Sequence, residues 1–219
     1  WLRSNGLSLN VDKTELIVFK SPNTNLNYKY KFKIDGHKII PKSTIKYLGL
    51  LIDENLNWKP YVSELKNKLT RAVGLLSKLR HCTPLAILKV AYHAIFGSHI
   101  LYACQVWGMN NENHIHLIHS LQNRAIRKIT FSDLNENLGS LYNELKIIKF
   151  NDLIHLQNCI FMHQFENGLL PDAFNQFSKL VSQNHRHLTR SVTRGLHAIP
   201  TVNTQTYGTL SIKNICISD

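Results

Sequence analysis

The chain has 219 residues, of which 43% are hydrophobic and 9% aromatic, with 10 glycines and 6 prolines. This composition excludes a collagen-like, low-complexity or mainly disordered chain, and its length is sufficient for a sizeable hydrophobic core. Lysine and arginine number 26 against 14 aspartates and glutamates, a formal net charge of +12 that favours a polyanionic partner.

The positive charge is concentrated in the first part of the chain. Residues 1–80 hold 15 lysines and arginines against 6 acidic residues, whereas residues 81–219 hold 11 against 8. No apolar run reaches the roughly 18 residues that a membrane span requires, so we expect no membrane partner. Polyanion binding is therefore expected to be a property of the N-terminal part.

The first part of the chain has the patterns of short strands. Residues 14–19 are rich in β-branched and aromatic residues, which predicts a strand. Residues 28–34 alternate aromatic or aliphatic residues with lysine, which is the period of a half-buried strand. Asp35-Gly36 then indicates a two-residue hairpin turn, with residues 37–40 as the return strand.

A fourth strand is predicted over residues 45–52, before the pattern changes. We interpret Asp53-Glu54, which follow it, as the start of a turn and a helix cap. From Val62 to Leu79 apolar residues recur at helical spacing, which predicts an amphipathic helix. Its polar side carries cationic residues: Lys66, Lys68, Arg71 and Lys78.

The rest of the chain is predicted to be mainly helical. Residues 85–107 are apolar nearly all round, which indicates a buried helix interrupted or bent near Gly97. Further helices are predicted over residues 114–130, 138–145 and 152–166, before a basic tail from residue 182. The expected fold class is α+β, a small antiparallel β region followed by a helical region.

The spacing of the cysteines and histidines does not indicate a metal site or a set of disulfide bonds. There is no Cys-x-x-Cys, so the expectation is reduced, mostly buried thiols in an intracellular protein. The cysteines are Cys82, Cys104, Cys159 and Cys216. His114, His116 and His119 have a ligand-like spacing, but no carboxylate or cysteine stands nearby, and we interpret them as exposed histidines.

No common catalytic motif is present. The sequence has no Gly-x-Ser-x-Gly, no phosphate-binding glycine loop and no His-Glu-x-x-His. Two-metal phosphoryl transfer needs carboxylates that the fold brings together, and the acidic residues are too scattered for the sequence to pair them. We therefore expect no self-contained active site and no bound metal.

Nucleic-acid binding is the better-supported interpretation of the basic region. Lys29, Lys31 and Lys33 lie on one face of a predicted strand, although such a face also protects an edge strand from aggregation. The combined positive charge favours nucleic-acid binding, because Lys46 and the cations of the first helix belong to the same basic region. Aromatic residues able to stack on bases are interleaved with them: Tyr28, Tyr30, Tyr47, Trp58 and Tyr61.

Several segments resemble the reverse transcriptases of non-LTR (LINE-type, jockey-like) retrotransposons. Residues 1–19 contain Gly-Leu-Ser-Leu-Asn and Lys-Thr, as does the segment that follows the catalytic Asp-Asp motif in those enzymes. Residues 47–58, Tyr-Leu-Gly-Leu-Leu-Ile-Asp-Glu-Asn-Leu-Asn-Trp, resemble the hairpin that grips the primer strand. Further matches follow in the family's order at residues 74–80, 102–108, 121–130 and 187–190.

The resemblance implies a division into three parts of an RNA-directed DNA polymerase. Residues 1–55 would end the palm with a primer-grip-like hairpin, residues 56–181 would form a helical thumb and C-terminal region, and residues 182–219 a basic tail. Tyr47, Leu48 and Gly49 of the hairpin then join the candidate nucleic-acid contacts. The implied partners are an RNA template, a DNA primer and the fingers and palm of the same polyprotein, with Mg²⁺ in the complete enzyme and a nuclear location.

The catalytic Asp-Asp motif itself is absent from this sequence. We expect it upstream of Trp1, so this chain alone is predicted to be inactive. Lys13 aligns with the lysine of the family's Lys-Thr pair, beside the incoming triphosphate. It could protonate or stabilise the pyrophosphate leaving group, or be a surface lysine before a strand.

Two hypotheses therefore remain open. The chain is either a fragment of a reverse transcriptase that positions template and primer, or a stand-alone, non-enzymatic nucleic-acid-binding protein derived from such an element. The genomic sequence upstream of Trp1 distinguishes them. An open frame with an Asp-Asp motif supports the first, and a start or stop codon supports the second.

Overall fold

The computed structural model describes residues 2–23, 32–34, 36–108 and 111–174. The chain divides into two compact units, Trp1–Ser63 and Glu64–Asp219. The predicted division at residues 55 and 181 stays a prediction, and the basic tail from residue 182 lies outside the described residues.

The first unit contains two antiparallel hairpins. Its strands are β1 (Phe32–Ile34), β2 (His37–Ile39), β3 (Thr44–Tyr47) and β4 (Leu50–Asp53). The predicted hairpin around Gly36 is confirmed, with Phe32 opposite Ile39 and Ile34 opposite His37. Gly36 has a φ of 80°, a backbone conformation that glycine adopts without steric cost.

The single strand predicted over residues 45–52 is wrong, because the chain reverses in its middle. Leu48 and Gly49 form a two-residue turn, with φ angles of 46° and 84°, and Tyr47 pairs with Leu50 across it. Positive φ at both turn residues is what a type I′ hairpin requires. Apolar residues continue through this turn, so periodicity did not reveal it, whereas the family resemblance implied a hairpin here.

The strand predicted over residues 14–19 is also wrong. Only Leu16 forms a bridge, an isolated parallel one with Pro41. The Lys42 N–H donates to the Leu16 carbonyl over 2.8 Å. Proline has no N–H to donate, so it interrupts the hydrogen-bond ladder that a longer strand would need at this point.

The helical region confirms the α+β class. The helices are α1 (Lys59–Leu79), α2 (Leu85–Tyr92), α3 (Ser98–Leu101), α4 (Cys104–Trp107), α5 (Glu112–Thr130), α6 (Leu138–Leu145) and α7 (Phe150–Glu166). The predicted helices at 114–130, 138–145 and 152–166 are thus confirmed to within two residues. Gly168, with a φ of 65°, follows the end of α7.

Helix α5 packs against α2, α6 and α7 in the core of the second unit. Its buried side is continuous and apolar, with Ile118, Ala125 and Ile126 inaccessible to solvent. At the α4–α7 contact the Trp107 and Phe150 rings are stacked, with centroids 5.6 Å apart. The apolar residues recur at helical spacing in the sequence, so they lie on one side of each helix and pack together in this core.

Residues 85–107 differ from the predicted buried helix. A π-helical segment, His93–Gly97, lies where the bend was expected, but the chain breaks at Ala103, which has a φ of 50°. One side of α2 is buried, whereas Ile87 and Val90 on the other side are exposed. The prediction of burial all round is therefore wrong, because only one side of this apolar segment finds packing partners.

The cysteines are free where the structure describes them. Cys104 is buried, but Cys82 and Cys159 are exposed, so the expectation of mostly buried thiols is wrong for these two. Cys216 lies outside the described residues.

Candidate nucleic-acid interface

The turn of the β3–β4 hairpin presents apolar side chains to solvent. Tyr47 is 60% exposed and Leu48 is 73% exposed, with the exposed Lys46 immediately before them. The tight turn at Gly49 leaves these side chains at the tip of the hairpin. An aromatic ring and an aliphatic side chain beside a cation suit contact with the bases, sugars and phosphates of nucleic acid.

The base of this hairpin is held by the buried carboxylate of Asp53. Its oxygens accept hydrogen bonds from the backbone N–H groups of Asn55, Asn57 and Trp58, at 3.2, 3.1 and 2.8 Å. The predicted turn is therefore confirmed, but the predicted helix cap is wrong, because the three N–H groups belong to residues that precede α1. Glu54 forms an ion pair with Lys20 over 3.2 Å.

Two aromatic residues predicted to be available for stacking are not available. Trp58 and Tyr61 are both buried. Tyr28 and Tyr30 lie outside the described residues, as do Lys29 and Lys31. Among the described aromatic candidates, Tyr47 alone can meet a base.

Lys33 and Lys38 lie directly opposite each other in the β1–β2 pair, and both are exposed. Like charges at directly opposed positions destabilise a hairpin. An anion bound between them would remove this repulsion, so the pair is compatible with a phosphate contact.

Lys13 ends the 3₁₀ turn Val11–Lys13 and is exposed. Its backbone N–H donates to the Asn10 side-chain oxygen over 3.1 Å, which holds the turn. No carboxylate of the described residues lies within ion-pair distance of its side chain. Nothing in this geometry distinguishes the catalytic role from that of a surface lysine.

Helix α1 carries the clearest basic surface. Arg71 and Lys78 are exposed and lie opposite the buried side that includes Leu69 and Leu76, while Lys66 is exposed at its flank. In the described part of the chain no carboxylate pairs with these three cations. We call Lys66, Arg71 and Lys78 the α1 cations.

Lys68 differs from the α1 cations. Its ammonium lies 2.6 Å from the Glu64 carboxylate one turn earlier on the helix. The i,i+4 spacing of Glu64 and Lys68 is that of a helical ion pair, whereas the helical period alone groups Lys68 with the other cations. Because Glu64 offsets its charge, Lys68 is the weakest of the four candidates for a phosphate contact.

Helix α5 carries three cationic residues in its second half, Arg124, Arg127 and Lys128. The structure separates them: the Arg127 guanidinium donates to the backbone carbonyls of Asp133 and Glu136, whereas Arg124 and Lys128 are exposed. No sequence signal could make this distinction, because it depends on the path of the loop after α5.

The described residues do not provide a metal site. No group of three or more histidine, cysteine, aspartate or glutamate side chains among them could hold an ion, and Asp53 uses both carboxylate oxygens on backbone N–H groups. His119 has a lowered pKa, caused by burial first and then by the neighbouring Lys149 and His116. No Mg²⁺-dependent step can therefore be derived from these residues.

None of the helices in the described ranges combines the length and the apolar character that crossing a bilayer requires.

The similarity to known proteins covers nearly all of the chain. The probable RNA-directed DNA polymerase from transposon X-element of Drosophila melanogaster is 26% identical over 202 residues, 90% of this chain and 21% of that relative. The polymerase from mobile element jockey of the same species is 24% identical over 166 residues, 72% of this chain and 17% of the relative. That of Drosophila funebris jockey is 26% identical over 125 residues, 55% of this chain and 14% of the relative.

No protein-family model and no solved structure matches the chain. The chain spans about a fifth or less of the length of these curated relatives. Its homologues are nevertheless of one kind, RNA-directed DNA polymerases of the jockey and X-element retrotransposons, and the resemblance to non-LTR reverse transcriptases is confirmed.

Proposed function

We propose that this chain is part of the RNA-directed DNA polymerase of a non-LTR retrotransposon and that its task is to hold the RNA template and DNA primer. The observation that carries this proposal is the α1 helix. One side of it is buried, and its exposed α1 cations have no acidic partner among the described residues.

The spacing of these cations suits a phosphate backbone. Arg71 and Lys78 are seven residues apart, about two helical turns or roughly 10 Å along one side of α1. A duplex carries one phosphate charge for roughly every 1.7 Å of its axis, so both residues can reach phosphates of one duplex. Contacts of this kind position a duplex without reading its sequence, as a polymerase requires.

The β3–β4 hairpin would supply the second kind of contact. Tyr47 and Leu48 at its tip can lie against the sugars and bases at the primer end, and Lys46 can meet the adjacent phosphate. The Asp53 carboxylate would keep the hairpin in shape while the tip is in contact, because it ties the end of β4 to the following turn.

Catalysis would come from the rest of the polyprotein. The sequence has no adjacent Asp-Asp pair, so the carboxylates that hold Mg²⁺ would lie in the fingers and palm, and the complete enzyme would act in the nucleus. We expect this chain alone not to extend a primer with any divalent metal. Incorporation of nucleotides by the purified chain would overturn this division of roles.

The test is a titration of labelled RNA–DNA hybrids of unrelated sequence by fluorescence anisotropy, between about 0.05 and 0.3 M salt. Each phosphate contact contributes roughly 0.7 to 0.9 to the slope of log affinity against log salt. Lys66→Gln/Arg71→Gln/Lys78→Gln should therefore reduce the slope by roughly 2 to 3 units, by similar amounts for every sequence.

The matched control is Lys89→Gln/Lys146→Gln/Lys149→Gln, which removes the same charge from α2 and from the connection between α6 and α7. We expect this control to leave the slope close to that of the unmodified chain. Salt-independent binding by the unmodified chain, or equal losses in the two variants, would overturn the proposed role of α1.

A further inference from the structure

The connection between α5 and α6, residues 131–137, holds a leucine out in solvent, and we call it the Leu134 loop. Leu134 is 85% exposed, more than any other large apolar side chain of the described residues. The Arg127 guanidinium donates to the backbone carbonyls of Asp133 and Glu136, on either side of Leu134. Because these bonds fix the loop in advance, little conformational freedom would be lost if a partner covered the leucine.

Two carboxylates flank this leucine. Asp133 and Glu136 are exposed, and Arg127 uses their backbone carbonyls rather than their side chains. Among the residues that the structure describes, no cation lies at ion-pair distance from either carboxylate. The loop therefore presents an apolar side chain between two negative charges, and the surface that complements it is an apolar hollow with a cation at its edge.

A hollow of this kind lies in the same unit. A groove of about 360 Å³ separates the segment around α3 from the connection between α6 and α7, and we call it the α3 groove. Its aliphatic lining residues are Ile100, Leu101, Ile147, Ile148 and Leu153. Leu101 and Ile148 are half-exposed, so the groove is open to solvent. An apolar cavity of about 150 Å³ already accepts benzene, so a leucine side chain fits here.

The α3 groove also carries the cation that the Leu134 loop calls for. Lys146 lines the groove and is exposed, and no carboxylate in the described part of the chain pairs with it. Its backbone is fixed, because it ends α6 and its N–H donates to the Asn143 carbonyl over 3.1 Å. The groove and the loop thus match in both apolar character and charge.

The loop of one chain does not fill the groove of that same chain. Asn137, at the end of the loop, caps the start of α6, whereas Lys146 follows the last residue of α6. The eight residues of α6 hold the two ends roughly 12 Å apart, and Arg127 ties the loop to α5. The matching surfaces therefore lie apart on one molecule, which is the arrangement that joins two copies.

We propose that this chain associates with a second copy of itself, and that Leu134 of one copy enters the α3 groove of the other. Asp133 and Glu136 then lie beside Lys146 of the second copy. This self-association goes beyond nucleic-acid binding and does not depend on it. A contact with one central side chain is smaller than the roughly 1,000 Å² of a stable interface, so the association is weak and depends on concentration.

The experiment is analytical ultracentrifugation of the complete chain between roughly 0.01 and 0.5 mM, the range in which weak association is measured. Salt at about 0.5 M releases nucleic acid that would otherwise bridge two basic chains. Leu134→Ser should raise the dissociation constant by roughly tenfold or more, because a central apolar anchor carries most of the binding energy. Leu169→Ser, at another exposed leucine that follows a helix, is the matched control and should associate like the unmodified chain.

A groove variant tests the other half of the contact. Ile148→Asp places a carboxylate where Asp133 and Glu136 would approach, so it should also abolish the association. Ser98→Trp, at an exposed lining position, fills the groove and replaces Ile148→Asp if circular dichroism shows that the latter unfolds. The Leu134→Ser chain keeps its groove and the groove variant keeps its loop. An equimolar mixture of the two should therefore associate, although each alone stays monomeric.

Each outcome decides the proposal. Association of the unmodified chain, its loss in both variants and its return in the mixture support the proposal. An unmodified chain that stays monomeric at about 0.5 mM overturns it, as does a mixture that stays monomeric. Loss in the groove variant with full association of Leu134→Ser shows that another segment occupies the groove, which also overturns it. Binding of RNA–DNA hybrids is measured separately, so failure here leaves the proposed function standing.

Discussion

The side-chain amide of Gln122 donates a hydrogen bond to the Tyr92 hydroxyl over 2.9 Å, between two fully buried residues on α5 and α2. The same amide donates to the Ile148 carbonyl over 2.9 Å and accepts from the Phe150 N–H over 2.8 Å. One polar side chain thus satisfies groups on three neighbouring segments. Burial raises the pKa of Tyr92 to about 12, although its hydrogen bond to Gln122 lowers it, so the hydroxyl stays neutral at physiological pH.

Gln122→Leu should destabilise the second unit by about 2–4 kcal/mol. The leucine has nearly the same size but leaves the Tyr92 hydroxyl, the Ile148 carbonyl and the Phe150 N–H without their partner in the core. Urea unfolding followed by circular dichroism measures the change. Gln164→Leu on α7, where the side chain is half-exposed, is the control and should stay within about 0.5 kcal/mol. Equal stability of the two variants would contradict the role of Gln122.

Asp53 should show a graded response to substitution. Asp53→Ala removes the acceptor of three backbone N–H groups and should cost about 2–3 kcal/mol. Asp53→Asn keeps one carbonyl oxygen, so its cost should be smaller. Asp133→Ala, at an exposed position, is the control. The free energy of unfolding in urea is the measurement, and an Asn variant as unstable as the Ala variant would show that the negative charge dominates.

The lowered pKa of His119 predicts a dependence of stability on pH. Burial, Lys149 and His116 favour its neutral form in the folded chain, against a smaller opposite effect of Asp152. The unfolded chain, with an ordinary pKa of 6.5, binds the proton more readily as the pH falls. His119 thus favours folding above pH 6.5, and this contribution is lost as the pH falls through its folded-state pKa.

His119→Gln should therefore reduce the loss of stability that occurs as the pH falls below 6.5. Urea unfolding of both proteins across this range tests the prediction. His163→Gln near the exposed end of α7 provides the control for the loss of one histidine. If the His119 and His163 variants lose stability in parallel with the unmodified chain, His119 does not carry the effect.

Lys13 can be tested only in a complete polymerase. Lys13→Ala should slow single-turnover nucleotide addition with little change in template–primer affinity, because the proposed contact forms chiefly in the transition state. Lys42→Ala is a control, since Lys42 pairs with Glu15 over 2.6 Å. A fall in affinity without a fall in rate would make Lys13 a phosphate contact instead.

Local patterns in the sequence predicted the elements that depend on neighbours along the chain. The helical period from Val62 to Leu79, the hairpin turn at Gly36 and the turn that begins at Asp53 each involve residues within a few positions of one another. The same reasoning failed at Leu48, where an apolar residue occupies a turn. It was the ordered resemblance to known enzymes that indicated this hairpin.

The sequence by itself determined the α+β class, the main helices and the resemblance to retrotransposon polymerases. Only the tertiary structure decided which cations remain outward: Arg80 and Arg127 are occupied by carbonyls, whereas Arg124 and Lys128 are exposed. All four are cationic residues on a helix or at its end, so the helical period of the sequence does not distinguish them. The difference comes from the folded path of the chain, because a guanidinium binds a carbonyl only where folding brings the two together.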